Sequence, residues 1–296
     1  MNHSGVAIKT VITGILVNAS LAAIKITTGL LGHSYALVAD GIESINDVLS
    51  SLVVFVGIKV AARPPDENHP YGHGKAEQLA ALFSALSLLT AGGVIAWQSV
   101  ENIIQRHSAP AWFTLPVLVV VVVAKELMSR FALAKSMETS STSLEGDAWH
   151  HRSDAITSGA ALIGICVALI GGPGYEKADD IAALIGCLVI AYNGFTLLRK
   201  AVHENMDGTP PQELCDEART IAASVEGVAF IEKLRMKKSG LGYYMDIHVQ
   251  VERSLSVEEG HRIGHDVQAR LLQSGRQITD VVVHIEPYSG SASPAI

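Results

Sequence analysis

Four ionisable residues at paired helical spacing carry the clearest chemical signal in the sequence. They are Glu43 and Asp47 in "DGIESINDV", and His150 and Asp154 in "GDAWHHRSDA". Residues four apart share one helix face, so each pair sets two donor groups side by side. One imidazole and three carboxylates from two helices amount to four N/O ligands, a set that suits tetrahedral Zn2+ and tolerates Fe2+, Mn2+ or Cd2+. The second pair opens onto "ITSGAALIGICVALIGGPGY", which has no charged residue. Ionisable groups in hydrocarbon cost about 2.5–3.5 kcal/mol each on insertion scales and mostly line pathways. The competing readings are buried ion pairs that fix helix packing, or side chains that snorkel to the interface. Two acid-rich pairs at one spacing favour a cation site. His151 is turned about 100° from His150 around a helix, a packing or gating position. Arg152 points elsewhere, since a guanidinium would oppose a metal. Asp147, about one turn before His150, stands at the approach to the pair.

Two further clusters have metal-ligand character. The Pro/Gly-rich stretch "RPPDENHPYGHGKAE" holds Asp66, His69 and His73 at spacings of three and four. It can wrap a second ion, or be a solvated turn with incidental histidines. In "YYMDIHVQVE", strand alternation puts Asp246 and His248 on one face with Tyr244 and Gln250, against Met245, Ile247 and Val249 on the other. In "VVVHIEP", His284 and Glu286 share the polar side, opposite Val283 and Ile285. His261 and His265, four apart on a helical pattern, could join them. Surface histidines are common, so the weight lies in their joint occurrence.

The elements that must hold these residues follow from composition. Only 17% of the 296 residues are charged and 49% are hydrophobic, with a mean hydropathy of +0.31. A soluble domain carries about 25% charged residues, so the chain reads as a membrane protein. A net charge of -7 argues against general nucleic-acid binding. Cys166, Cys187 and Cys215 form no CxxC and imply no disulfide framework. A spanning helix needs roughly 20 mainly apolar residues. Ranges 78–100, 107–124, 155–175 and 181–198 qualify, and 7–31 (with Lys25) and 34–62 (with Asp40, Glu43 and Asp47) qualify despite their charges. That makes six transmembrane helices. The first apolar run is too long for a cleavable leader. Lys59, Arg63 and Lys75, then Arg130 and Lys135, then Arg199 and Lys200 flank alternate span ends, which predicts cytoplasmic termini. From about residue 208 the composition becomes soluble, and the pattern αββαβ predicts a small ferredoxin-like α+β layer. The expected organisation is 1–207 transmembrane, 208–290 cytoplasmic metal-binding domain, and 291–296 flexible tail.

The stretches "GHSYALVADGIESINDVLSS", "HPYGHGKAE", "HHRSDA" and "VVVHIEP" are spread along the chain from Gly32 to Pro287. Together they resemble the cation diffusion facilitators, most closely the bacterial zinc/iron-efflux type. The resemblance implies a divalent-metal/proton antiporter in the cytoplasmic (inner) membrane, working in the lipid bilayer as a homodimer. It implies a transport site of Glu43, Asp47, His150 and Asp154, with glutamate at position 43 where close relatives have aspartate. It further implies a loop site of Asp66, His69 and His73, and a cytoplasmic site of His248, His261, His284 and Glu286. Glu232 stands where that site has a histidine, and Glu286 where it has an aspartate. Lys75 and Asp207 would form an interlocking ion pair of the dimer. Zn2+ is then both substrate and regulatory ligand, with Fe2+, Mn2+, Cd2+ or Co2+ as other cargo. Metal affinity must fall as the ligands protonate, so one set of residues serves both substrates. An intramembrane metalloenzyme is the weaker alternative, because no HExxH is present and four filled positions leave no room for an activated water. A metal-sensing scaffold without transport is the other alternative.

Overall fold

Six long helices are followed by a small α/β layer in the computed structural model, which describes residues 3–31, 35–104, 114–171, 178–288 and 290. The helices are α1 (His3–Leu31), α2 (Tyr35–Ala61), α3 (Lys75–Ile104), α4 (Thr114–Thr139), α5 (Thr142–Gly171) and α6 (Ala178–Asn205). The shortest has 26 residues and the longest 30. At 1.5 Å per residue, each exceeds a hydrocarbon core of roughly 30 Å. Among the described residues, His3–Thr27 and Lys75–Glu101 are apolar enough to cross a membrane by composition alone. The chain divides into two compact units, Met1–Val202 and His203–Ile296.

In the first unit α5 is central, packed against α1, α2, α3 and α4, while α1 also packs on α2 and α4, and α2 on α3. Small residues permit the close approaches, as bilayer helix packing requires. A Cβ on Gly57 of α2 would collide with Ala80 of α3, one on Gly146 of α5 with Ser84, and one on Gly194 of α6 with Leu89. The start of α5 is fastened from α3. The buried Glu77 carboxylate accepts from the Ser143 backbone N–H at 2.8 Å and the Ser141 hydroxyl at 2.9 Å. A negative group there satisfies an N–H that the helix leaves without a partner and complements the helix dipole.

Two expected boundaries are corrected. The fourth span, expected at 107–124, continues as helix to Thr139, and residues 107–113 lie outside the described residues. Arg130 and Lys135 therefore sit inside α4, paired with Glu126 and Glu138, rather than flanking a loop. Only Ser140 and Ser141 join α4 to α5, with Ser140 in the left-handed region at φ 54. The fifth helix begins at Thr142 rather than 155. Hydropathy registers only apolar windows, whereas a helix runs on wherever its polar residues find partners across a packed face.

The second unit contains α7 (Gln212–Ala223), β1 (Val228–Ser239), β2 (Gly242–Val251), α8 (Val257–Leu272) and β3 (Ile278–Pro287). The sheet order is β1-β2-β3, with β1 antiparallel and β3 parallel to β2. This is the αββαβ layer expected. Alternation along β2 buries Met245, Ile247 and Val249 against Ile263, Val267 and Leu271 of α8. The helix begins with a capping box in which the Ser256 side chain and backbone exchange hydrogen bonds with Glu259.

Candidate metal centres

Antiparallel stripes bring α2 and α5 together at Asp47. His150 Nε2 lies 2.9 Å from Asp47 Oδ1, and one ligand atom from each of Asp47, His150 and Asp154 falls within 4.8 Å of the others. Three of the four residues expected at the first site therefore meet, drawn from two helices. Glu43 lies one turn before Asp47 on the α2 backbone, and its side chain is outside the described residues.

A fourth side chain enters this cluster from α4. Lys125 is buried and donates to Asp47 Oδ2 and to Asp154 Oδ2, each at 2.8 Å. A span ending at residue 124 leaves Lys125 just outside the apolar window. The signal that finds it is periodicity: Val121, Lys125, Met128, Ser129, Ala132 and Ser136 form one buried stripe, so the lysine falls on the packed face.

A second polar layer adjoins the first, one turn earlier on α5. Asp147 is buried, accepts the Ser51 hydroxyl at 2.6 Å, and has His151 Nε2 at 3.6 Å. Asp147 thus stands inside a packed layer and not at an open approach. Gly14 on α1 makes the room, since a Cβ there would lie 3.3 Å from His151 Nε2. Asn18, one turn further along α1, is fully buried, and neither of its amide atoms has a hydrogen-bond partner among the described residues. Arg152 turns its guanidinium over the Trp149 ring, 5.3 Å from the centroid.

The loop between α2 and α3 also gathers its three residues. Asp66 Oδ1 lies 3.1 Å from His69 Nδ1 and Oδ2 lies 3.3 Å from His73 Nε2, with the two imidazole rings 4.4 Å apart. The backbone N–H of His69 donates to Asp66 Oδ1 at 2.7 Å and that of Asn68 at 3.0 Å. These bonds, that from His69 first, hold the exposed Asp66 carboxyl below its ordinary range. Gly72, at φ 78, allows the turn that returns His73 to Asp66.

In the second unit, strand register makes the cluster. Parallel pairing sets His248 opposite His284 and Gln250 opposite Glu286. His248 Nδ1 lies 2.7 Å and His284 Nε2 3.4 Å from Glu286 Oε1. Glu232 occupies an irregularity in the β1–β2 ladder, between the pairs Ile231–Val249 and Lys233–His248. An extra residue of this kind re-aims its side chain, and Glu232 accepts from the Gln250 amide at 2.7 Å. The Glu286 carboxyl is held below its ordinary range, first by a side-chain hydrogen bond with Glu232 and then by His248. His261 does not join the trio of His248, His284 and Glu286. Its Nε2 lies 3.1 Å from His265 Nε2 on the exposed face of α8. Asp207 pairs with Lys237 at 3.1 Å, and Lys75 opens α3.

The family model for the cation efflux transmembrane domain matches residues 11–204, and that for the cation efflux protein cytoplasmic domain matches 210–288. The chain is 28% identical to the manganese efflux system protein MneP of Bacillus subtilis, over 95% of this chain and 96% of that protein. It is 32% identical to an uncharacterized transporter of Methanocaldococcus jannaschii, over 94% and 97% of the two chains. It is 31% identical to metal tolerance protein 2 of Oryza sativa subsp. japonica, over 95% and 77%.

Proposed function

The chain belongs to the cation efflux family, the cation diffusion facilitators, and from that we propose that it exports a first-row divalent cation from the cytoplasm in exchange for protons. The observation that supports this reading is the meeting of Asp47, His150 and Asp154 inside the helical unit. Glu43 completes the ligand set in this reading. An imidazole with carboxylates binds Zn2+ tetrahedrally and also suits harder ions. Likeness to a manganese efflux system protein of Bacillus subtilis favours Mn2+ as cargo beside Zn2+.

The ligands come from two helices, so a tilt between α2 and α5 alters the site and exposes it to one side at a time. Protons compete with metal for the same imidazole and carboxylates, which couples the two flows. The His150 imidazole can hold either a proton or a metal on the same ring nitrogen, which suits it to the exchange. The six helices cross the membrane with both termini in the cytoplasm. The C-terminal unit binds metal at His248, His284 and Glu286, and it regulates a homodimer; the match to a cytoplasmic domain of the family supports this assignment.

The test is metal uptake into proteoliposomes with a lumenal pH dye, across Mn2+, Zn2+, Fe2+, Cd2+ and Co2+. The expected result is metal movement with opposite proton movement, lost in Asp154→Ala. Unchanged flux in that variant overturns the proposed site. Metal binding without flux in the unmodified protein would instead leave a sensing scaffold.

A further inference from the structure

Lys125 is held in the middle of the helical unit, 1% exposed, at the end of "VLVVVVVAK". A lysine at such depth costs about 2.5–3.5 kcal/mol on insertion scales, so its place calls for a compensating interaction. Its partners are Asp47 and Asp154, the two carboxylates that the transport reading assigns to the cargo. Nζ sits 2.8 Å from one oxygen of each. A metal bonds carboxylate oxygen at about 2.0–2.2 Å. An ion held by the same two oxygens would therefore occupy the gap that the ammonium fills. The other Asp47 oxygen is engaged by His150 Nε2 at 2.9 Å. The donors of this site are thus already satisfied by one another and by one resident positive charge.

We propose that Lys125 is a tethered competing cation: it holds Asp47 and Asp154 when no metal is bound and must be displaced when metal enters. The proposal rests on the transport-site reading. The ammonium neutralises carboxylates that would otherwise be buried and uncompensated, which is the most destabilising state for such groups. It also lowers the net affinity for metal, because each binding event must break two charge-assisted hydrogen bonds. Release is assisted in the same way, since the lysine returns to the oxygens as the metal leaves. Its four-carbon stem and compact charge suit such a movement better than the planar fork of arginine.

The experiment is metal titration of the purified full-length chain in detergent, with Mn2+ and Zn2+ as probes at one pH. Binding that disappears in Asp154→Ala defines the site and separates it from the loop and C-terminal clusters. Lys125→Met is expected to bind both ions at least about tenfold more tightly, as loss of two such bonds implies. In vesicles its KM and kcat for metal should fall together, since release slows. Lys125→Gln, which keeps a donor but removes the charge, gives the same comparison if the methionine variant does not fold. Lys125→Arg should bind close to the unmodified protein. A structural role alone would lower thermal stability without tightening metal binding. An unchanged or weaker Kd in a folded Met or Gln variant overturns the proposal, whereas metal flux that survives Asp154→Ala overturns the transport-site reading beneath it.

Discussion

Ser51 on α2 donates its hydroxyl to Asp147 on α5 across 2.6 Å, with both side chains buried. The bond ties the two helices that bear the proposed ligands one turn away from the ligands themselves. A hydrogen bond to a charged group is worth about 1.5–3 kcal/mol. Ser51→Ala should lower stability by that amount, read as an earlier unfolding transition in detergent. If the transition does not move, the carboxylate has found another donor and the bond does not fasten the helices.

Close packing of α2 on α3 predicts opposite outcomes at two glycines. A Cβ at Gly57 would collide with that of Ala80 and lie 3.1 Å from the Ala76 carbonyl oxygen, whereas one at Gly93 would meet nothing within 4 Å among the described residues. Overpacking costs about 1–3 kcal/mol, so Gly57→Ala should destabilise the helical unit. Gly93→Ala should be neutral or stabilising by up to about 1 kcal/mol, through helix propensity. Thermal unfolding of the two variants side by side checks the sign of each effect.

The strand cluster and the helix pair in the second unit should separate on mutation. Metal binding by this unit should be lost in His248→Ala and Glu286→Ala but largely kept in His261→Ala, because His261 lies with His265 and not with the trio. Comparable loss in all three would mean that α8 and the sheet share one ion.

The cap of α8 carries a pH dependence of known sign. Ser256→Ala should cost about 1 kcal/mol. Glu259 is held below its ordinary range, chiefly by the Ser256 backbone N–H and then by its hydroxyl. Its folded pKa lies under the unfolded value, so the contribution is complete above the unfolded pKa and is lost as pH falls through the folded one. Denaturation of the unmodified chain and of Glu259→Gln should therefore differ at neutral pH and converge in acid.

In the proposed transport reading, cargo choice depends on the ligands that touch the ion. Glu43 is the clearest candidate in the transport set. Its longer arm relaxes the geometry around the ion and favours Mn2+ or Fe2+ over a strict Zn2+ fit. Glu43→Asp should narrow the ion profile towards Zn2+ in the vesicle assay. An identical profile in both forms would remove Glu43 as the selectivity determinant.

His150 with Asp154, Asp66 with His69 and His73, and His284 with Glu286 were legible from letters alone. Their grouping depends on helical period, strand alternation and a short turn, all of which are local properties of the backbone. The αββαβ order was legible for the same reason. Lys125 was not, because its partners lie 78 and 29 residues away and only the packing of α5 against both α4 and α2 brings it to them. Glu232 reaches the His248 and Glu286 face through an irregular strand register, which alternation would have assigned to a simple pairing. His261 has a metal ligand's type and spacing, and only the placement of α8 sets its Nε2 against His265 while its ring lines one cleft with His284 and Glu286. Sequence by itself determined which residues can share a face of one element. The tertiary structure alone decided which faces meet, because that depends on side-chain packing between segments whose separation along the chain carries no periodic signal.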